Sequence, residues 1–375
     1  MAEPLKTFFG PAIPRRLADQ ITAVFPDFPR RSFLSTALHG YESLELLPRG
    51  RHLARALRKC LPQDYPRAIE ILLSSLGPVK KKHPGDHAMA PFFFLPHVLF
   101  VAEYGLDHFD VSMRAQYELT QRFTAEFSIR PFLERYPEAT LARLRTWSTD
   151  SSPHVRRLVS EGTRPRLPWA ARLQRFQQDP RPVLSLLETL KDDPSLYVRR
   201  SVANNLNDIG KDHPALLVKT ARAWLRDATE TRRWVVHHAL RSAIKRGDRD
   251  ALEVLGVGHR ASVAVRKKTL FPSQVALGQA VTVAFELHNL KSQRQQVLVD
   301  FRIHFVKFNG ATAPKVFKLR QVELAPGSNA VFSKRVALVP MTTRTHYPGR
   351  HRIELLLNGR AVPFGSFHLV SPLTA

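Results

Sequence analysis

A carboxylate at the end of a predicted helix is the most unusual chemical feature of the sequence. Residues 155–169 read VRRLVSEGTRPRLPW, a helical pattern that ends at Gly162, followed by a stiff basic loop that leads to Trp169. A carboxylate in the last helical turn, such as Glu161, faces the negative end of the helix dipole at a cost of about 0.3–1 kcal/mol. The neighbouring arginines that could compensate it are Arg156, Arg157 and Arg164.

The helix that carries Glu161 belongs to an internal repeat. Similar strings begin at Asp150, Asp193 and Asp227, at intervals of 43 and 34 residues; the first ends in PHVRR, and the other two read DPSLYVRR and DATETRRW. A capping residue followed by a helix with arginines in its first turn is typical of HEAT-like helical pairs, which stack into a curved solenoid. We therefore predict an all-α HEAT-like solenoid over residues 1–256, with the arginines in a row along its edge or concave face.

After residue 260 the spacing of apolar residues changes to a period of two. VTVAFEL at 281–287 and FRIHF at 301–305 alternate apolar with other residues, which is typical of strands with one buried face. Turn pairs such as Asn309-Gly310 and Asn358-Gly359 separate these runs. The pattern predicts an all-β immunoglobulin-like sandwich over residues 262–375.

The charge of the chain favours a polyanionic partner. Lys and Arg number 57 against 32 Asp and Glu, a formal net charge of +25, and residues 259–375 alone carry +13. DNA presents about one negative charge per ~1.7 Å of duplex axis, so a strongly basic protein binds it readily. We expect the sandwich to bind phosphates.

Two strings of the helical region resemble a known family. SEGTRPRLPW after VRRL, together with VRRSVANNLNDIGKDHP at 198–214, is similar to bacterial DNA-alkylation-repair glycosylases of the AlkC type. The resemblance is strongest from about Glu118 to Gly256, and an immunoglobulin-like carboxy-terminal domain fits one branch of that family. It implies base excision repair, in which the N-glycosidic bond of cationic alkylated bases, such as 3-methyladenine and 3-methylcytosine, is cleaved in duplex DNA without metal or other cofactor.

The resemblance also implies roles for single residues. Glu161 in SEGTRPR, Asp208 in ANNLNDIGK and Glu126 in FTAEFSIRPF carry over as catalytic carboxylates, and Trp169 as a side chain that stacks on the sugar or the lesion. A cationic base is already a good leaving group, so carboxylates need only stabilise an oxocarbenium-like sugar and position a water. Contacts to DNA are expected from the basic loop and the repeats: Arg156, Arg157, Arg164, Arg166, Arg199, Arg200, Arg232, Arg233 and Trp234.

Each of these residues also has a structural interpretation. Glu161 could form an ion pair with a helix arginine, Asp208 could cap a helix that ends near Gly210 or pair with Lys211, and Glu126 could lie on the solvated face of a helix. Trp234 could be a core residue, the commoner fate of tryptophan. Two other functions therefore stay open: a non-catalytic HEAT-repeat protein that binds DNA or senses its structure, and a protein-interaction solenoid.

Several classes of protein are disfavoured by composition. The one cysteine, Cys60, allows no disulfide framework, and the histidines lack the spacing of a metal site, so no metal is predicted. The apolar run at 91–102 is interrupted by Pro96 and is shorter than the roughly 20 residues of a membrane span. No secretion signal is recognisable, so we expect a monomer in the bacterial cytoplasm, associated with the nucleoid.

Overall fold

The structure is a computed structural model that describes residues 5–79, 90–257, 260–339 and 345–370. The basic run Lys80–Lys82, for which the sequence predicts a solvated loop, lies outside these residues. Among the helices described, none is long and apolar enough to cross a membrane. The α-helices are α1 (Ala12–Val24), α2 (Arg30–Leu38), α3 (Leu46–Cys60), α4 (Tyr65–Ser74), α5 (Leu95–Tyr104), α6 (Phe109–Thr120), α7 (Ile129–Arg135), α8 (Pro137–Trp147), α9 (Pro153–Gly162), α10 (Gln174–Gln178), α11 (Arg181–Leu190), α12 (Leu196–Asp212), α13 (Pro214–Leu225), α14 (Glu230–Arg246) and α15 (Arg249–Val254). Short 3-10 helices span Leu5–Phe9, Tyr41–Ser43 and Ala90–Phe94.

Strands follow the helices. They are β1 (Val263–Phe271), β2 (Gln274–Ala276), β3 (Ala280–Asn289), β4 (Gln295–Val306), β5 (Thr312–Leu324), β6 (Asn329–Ala337), β7 (Gly349–Leu357) and β8 (Arg360–Val370). They form two sheets with the orders β1-β3-β6 and β2-β8-β7-β4-β5, and the neighbours are antiparallel except for β2 with β8. The predicted order, helical repeats followed by an immunoglobulin-like sandwich, is confirmed.

The sandwich core follows from the period-two pattern. The apolar residues of β3, which are Val281, Val283, Phe285 and Leu287, are all buried, as are Phe301, Ile303 and Phe305 of β4. Each fully buried side chain of this kind contributes about 1.5–3 kcal/mol of hydrophobic free energy. At the β7–β8 turn Asn358 and Gly359 have φ values of 49° and 74°, which fits the hairpin turn predicted there.

Packing divides the described chain into two compact units. The first unit consists of residues up to His213 together with Asp227–Ala239, and the second contains Pro214–Arg226 and the residues from Leu240 onward. The helical unit therefore includes α1–α12 and the beginning of α14. The other unit joins α13, the end of α14 and α15 to the sandwich.

The last helices pack with the sandwich at a close backbone contact. Gly247, which follows α14, has a φ of 76°, and a Cβ at this position would lie 2.9 Å from the carbonyl oxygen of Gly359. Helix gives way to strand between Val254 and Val263, where the sequence predicts the domain boundary, but α13 and α15 belong to the same compact unit as the strands. The change of secondary structure and the division in packing are thus at different places.

In the helical unit, α9 and α12 carry the repeat and pack against each other. Their spacing of apolar residues buries one stripe on each helix, and these residues are Val155, Leu158 and Val159 on α9 and Val198, Val202, Leu206 and Ile209 on α12. The α12 stripe is the one predicted to face the neighbouring repeat. The opposite faces remain available for charged residues.

The repeated arginine has a structural role. Arg156 Nη1 donates to the carbonyls of Asp150 and the residue after it at 2.7 and 2.9 Å, and Arg199 Nη1 does the same to Asp193 and its successor at 2.6 and 2.9 Å. Arg156 Nε also donates to the Asp193 carboxylate at 2.6 Å, which links one repeat to the next. The offset that the sequence repeats is therefore explained by satisfaction of main-chain carbonyls, and the prediction of one continuous row of phosphate-binding arginines is wrong for these two.

We expect Asp193→Asn to destabilise the protein by on the order of 3 kcal/mol, because it leaves a partly buried Arg156 without its carboxylate. Urea unfolding followed by circular dichroism measures the change. Asp179→Asn is the control, since the Asp179–Arg181 pair is exposed and exposed pairs contribute little. Equal midpoints for the two variants would contradict the structural role of Asp193.

Candidate active site

The carboxylate of Glu161 is buried between α9 and α12. The residue is only 5% exposed, and its oxygens accept hydrogen bonds from Arg164 Nη1 at 2.6 Å and from Ser201 Oγ at 2.6 Å. Arg157, one turn earlier on α9, lies 3.4 Å from the same carboxylate. The predicted end of the helix at Gly162 is confirmed, and so is the pairing of Glu161 with neighbouring arginines.

Gly162 allows the end of α9 to lie close to α7. A Cβ at this position would lie 2.5 Å from Cγ2 of Ile129, which is closer than side-chain carbons can approach. A larger residue would therefore push apart the two segments that hold Glu161. The glycine in SEGTRPR is explained by this contact.

Asp208 lies inside α12, not at its end. The helix continues past Gly210 to Asp212, so the prediction that Asp208 caps a helix terminus is wrong. Gly210 costs about 1 kcal/mol in a helix interior, and burial of the α12 stripe outweighs it. Asp208 is 1% exposed and accepts from Arg164 Nε at 2.8 Å and Lys211 Nζ at 2.7 Å, which confirms the predicted pair with Lys211.

Glu126 lies in the segment between α6 and α7, where a helix was expected. Local hydrogen bonds explain the difference: Thr124 Oγ1 donates to the Glu126 carboxylate at 2.9 Å and accepts from the Glu126 amide at 3.4 Å. Bonds of this kind compete with helix formation. The side chain is 13% exposed, so the prediction of a solvated position is also wrong, and it pairs with Arg157 at 2.7 Å.

These contacts bring the three predicted carboxylates into one cluster, in which acids and bases alternate. The order is Glu126, Arg157, Glu161, Arg164, Asp208 and Lys211. Arg157 bridges the first two acids and Arg164 bridges the last two. We call these six residues the carboxylate–arginine cluster.

The electrostatics of the cluster keep Glu161 ionised. Burial alone favours the neutral acid, but Arg157, Arg164 and the hydrogen bond from Ser201 together hold the pKa of Glu161 below its ordinary value. Burial would also lower the pKa values of the two arginines, yet their acidic neighbours raise them. Glu161 is therefore a fixed negative charge and hydrogen-bond acceptor at neutral pH, and it cannot act as a general acid.

Ser201 is a site residue that the sequence analysis missed. It lies seven residues before Asp208, so both occupy one face of α12, two turns apart. Asn205, between them, donates to the Ser160 carbonyl at 2.7 Å on the same side. The helical spacing of Ser201, Asn205 and Asp208 is the signal that could have identified this face.

The loop after α9 presents Trp169 to solvent. The indole is 61% exposed, although tryptophan is usually buried. Its φ of 66° is left-handed, a conformation that is uncommon for residues other than glycine. The loop also carries Arg166, whose Nε donates to the Asp212 carboxylate at 2.8 Å.

The residues predicted to contact DNA fall into two groups. Pairing with acids offsets the charge of five of them, which are Arg156, Arg157, Arg164, Arg166 and Arg232. Arg200 and Arg233 are exposed, and no ion pair is formed by either within the described residues. Trp234 is 36% exposed and stacks on His238 with ring centroids 5.0 Å apart, so the core interpretation of Trp234 is wrong.

Positions equivalent by the repeat carry different chemistry. Arg157, Arg200 and Trp234 each follow the repeat's aspartate by seven residues, and Glu161, Asn204 and His238 each follow it by eleven. The first repeat is thus acidic at the position where the other two carry an amide and an imidazole. Across the described part of the chain, no group of three or more His, Cys, Asp or Glu is arranged to hold a metal ion.

Known proteins resemble the chain over almost its whole length. Residues 264–371 match the family described as uncharacterised protein YhaZ, C-terminal Ig-like domain. The chain is 36% identical over 360 residues to the uncharacterized protein YhaZ of Bacillus subtilis (strain 168), which covers 95% of this chain and 96% of that protein. The fold is similar to that of Pseudomonas fluorescens alkylpurine DNA glycosylase AlkC bound to DNA containing an abasic site analog, with a TM-score of 0.91, 37% identity, and coverage of 98% of this chain and 100% of that one.

The depressed pKa of Glu161 makes a prediction about pH. Because the folded-state pKa lies below the unfolded one, ionised Glu161 stabilises the fold at neutral pH, and this contribution is lost as pH falls through the folded-state pKa. We expect Glu161→Gln to lower the free energy of unfolding by about 2 kcal/mol at neutral pH. The difference from wild type should shrink steadily below about pH 4.

Urea unfolding of both proteins across this pH range tests the prediction. The comparison with wild type at each pH cancels the titration of all other groups. A difference that stays constant or grows on acidification would show that Glu161 is not held as an anion.

Proposed function

Because the chain belongs to the family of the AlkC and YhaZ proteins, we propose that it is a DNA-repair glycosylase. It hydrolyses the N-glycosidic bond of cationic N-alkylated bases, such as 3-methyladenine and 3-methylcytosine, in duplex DNA. The observation that carries the proposal is the carboxylate–arginine cluster, in which three acids are held together in a protein of net charge +25.

The chemistry of the reaction fits such a cluster. Loss of a cationic base leaves positive charge on the sugar, and carboxylates fixed before the reaction stabilise that charge as it develops. Acids near DNA repel phosphates, so they are unfavourable for binding alone and useful for catalysis. No cofactor is needed in this scheme.

The three acids differ in how accessible they are. The Glu126 side chain is 13% exposed, against 7% for Glu161 and 1% for Asp208. We assign Glu126 to contact with the attacking water and Glu161 to stabilisation of the sugar cation. Asp208 holds Arg164 in place against Glu161. Trp169, the most exposed aromatic side chain of this region, stacks on the lesion or the sugar.

Binding of duplex DNA is assigned to the cations whose charge is not offset by a nearby acid. In the repeats these are Arg200 and Arg233, with Trp234 beside them as a stacking surface. In the sandwich they include the exposed residues Lys318, Lys334 and Arg335 of β5 and β6. Arginines of the cluster contribute by positioning the acids.

The decisive experiment is release of methylated bases from alkylated duplex DNA, measured by chromatography. We expect wild type to release them and Glu161→Gln to lose at least a hundredfold in rate while it binds abasic DNA with similar affinity, because the substitution removes one charge and keeps the shape of the side chain. Glu188→Gln, on the exposed surface of α11, is the matched control.

A non-catalytic protein that binds DNA or senses its structure is the other candidate. It is favoured by the ion pairs that engage all three acids, since a purely structural cluster has the same pairs. Tight binding without base release by wild type would establish it in place of the glycosylase.

The assignment of DNA-binding residues is tested by salt dependence. Substitution of both Arg200 and Arg233 by Gln should weaken binding to duplex DNA and reduce the slope of log K against log salt by about 2, near 0.9 for each phosphate that is no longer neutralised. Arg181→Gln is the control, because Arg181 is equally exposed but is paired with Asp179. Slopes that agree within error for the three proteins would remove these arginines from the DNA-binding surface.

A further inference from the structure

Arg130, near the start of α7, holds the loop after α9 by its main chain. The residue is 5% exposed. Its Nη1 donates to the carbonyls of Gly162 at 3.2 Å and Arg164 at 2.8 Å, and its Nη2 donates to the carbonyl of Ala171. One buried guanidinium thus binds both ends of the segment 162–171.

That segment carries the side chains on which the proposed site depends. It begins at the last residue of α9, places Arg164 between Glu161 and Asp208, and presents Trp169 to solvent. The amide of Leu173 also donates to the carbonyl of Pro165 at 3.1 Å, which closes the loop a second time. These ties can maintain a left-handed conformation at Trp169 that would otherwise be unfavourable.

The charge of Arg130 suits this position. Burial lowers its pKa to about 10, so it remains a cation at neutral pH. It binds carbonyls at the carboxyl end of α9, where the helix dipole is negative and a cation is favourable. Arg130 therefore also offsets the unfavourable position of Glu161 in the last turn of that helix.

A second buried arginine shows what an architectural role looks like. Arg49 is likewise 5% exposed, and it donates only to main-chain carbonyls, those of Lys6, Phe9, Glu42 and Leu44. None of these belongs to the carboxylate–arginine cluster or to its loop. Arg49 is accordingly the matched comparison for Arg130.

We propose that Arg130 is a positioning residue: it fixes the 162–171 loop so that Trp169 is held ready to contact the damaged nucleotide and Arg164 bridges the two buried acids. The inference rests on the proposed glycosylase function. It assigns Arg130 an effect on the rate of base release that passes through Trp169, in addition to any effect on stability.

A double-mutant cycle tests this coupling under single-turnover conditions with saturating enzyme. We expect Arg130→Met to lower the rate constant of base release at least tenfold and affinity for undamaged duplex DNA no more than twofold. Combined with Trp169→Ala, it should cause little loss beyond that of the more damaging single substitution. Arg49→Lys, the control, should lower the melting temperature and multiply independently with Trp169→Ala. Independent effects of Arg130→Met and Trp169→Ala would overturn the inference.

A second variant and a second readout keep the test decisive. If Arg130→Met does not fold, Arg130→Lys retains the charge but cannot bind three carbonyls at once, and it takes its place in the cycle. Acrylamide quenching of the Trp169 emission, obtained as the difference between each protein and its Trp169→Phe counterpart, should rise when Arg130 is replaced. This readout needs no activity. Absence of base release by wild type overturns the proposed function, whereas unchanged quenching overturns the role of Arg130.

Discussion

The alternation of acids and arginines between α9 and α12 is the interaction on which the rest of the helical unit depends. A buried carboxylate without a partner is strongly unfavourable, and removal of one member of a buried pair typically costs several kcal/mol. Here Arg157 and Arg164 each serve two acids, so no acid of the cluster is left unpaired. A cluster of this kind constrains how the two helices can pack, because a small shift would separate several charges together.

The repeats provide the rigid frame for this cluster. Arg156 ties the start of its own helix to the Asp193 carboxylate of the next repeat, and the buried stripes of α9 and α12 supply the apolar contact. The same repeat position then carries an acid in one repeat and neutral or aromatic side chains in the next two. Repetition of the scaffold with variation at the exposed positions is how a solenoid builds a local site on a regular surface.

Positive charge has two different uses in this protein. Several arginines of the repeats are engaged by acids and main-chain carbonyls, where they hold the fold and orient the cluster. Others, such as Arg200 and Arg233, remain exposed, and the sandwich carries most of its basic residues on its surface. Net charge indicates a polyanionic partner, but only the contacts of each side chain separate arginines that can bind phosphate from those that cannot.

The sequence by itself determined the order of the fold, because burial imposes a period near 3.6 on helices and a period of two on strands, and both periods are visible in the residues. It also identified Glu161 at a helix end and the carboxylates by resemblance, and their catalytic roles stay predictions. The tertiary structure decided what local patterns do not contain: that α12 continues past Gly210, because burial of its stripe outweighs the cost of glycine, and that Glu126 leaves the helix for a turn with Thr124. It alone brought Glu126, Glu161 and Asp208 together and placed Arg130 beneath the Trp169 loop, because contacts between residues 30 to 80 positions apart depend on how the helices pack.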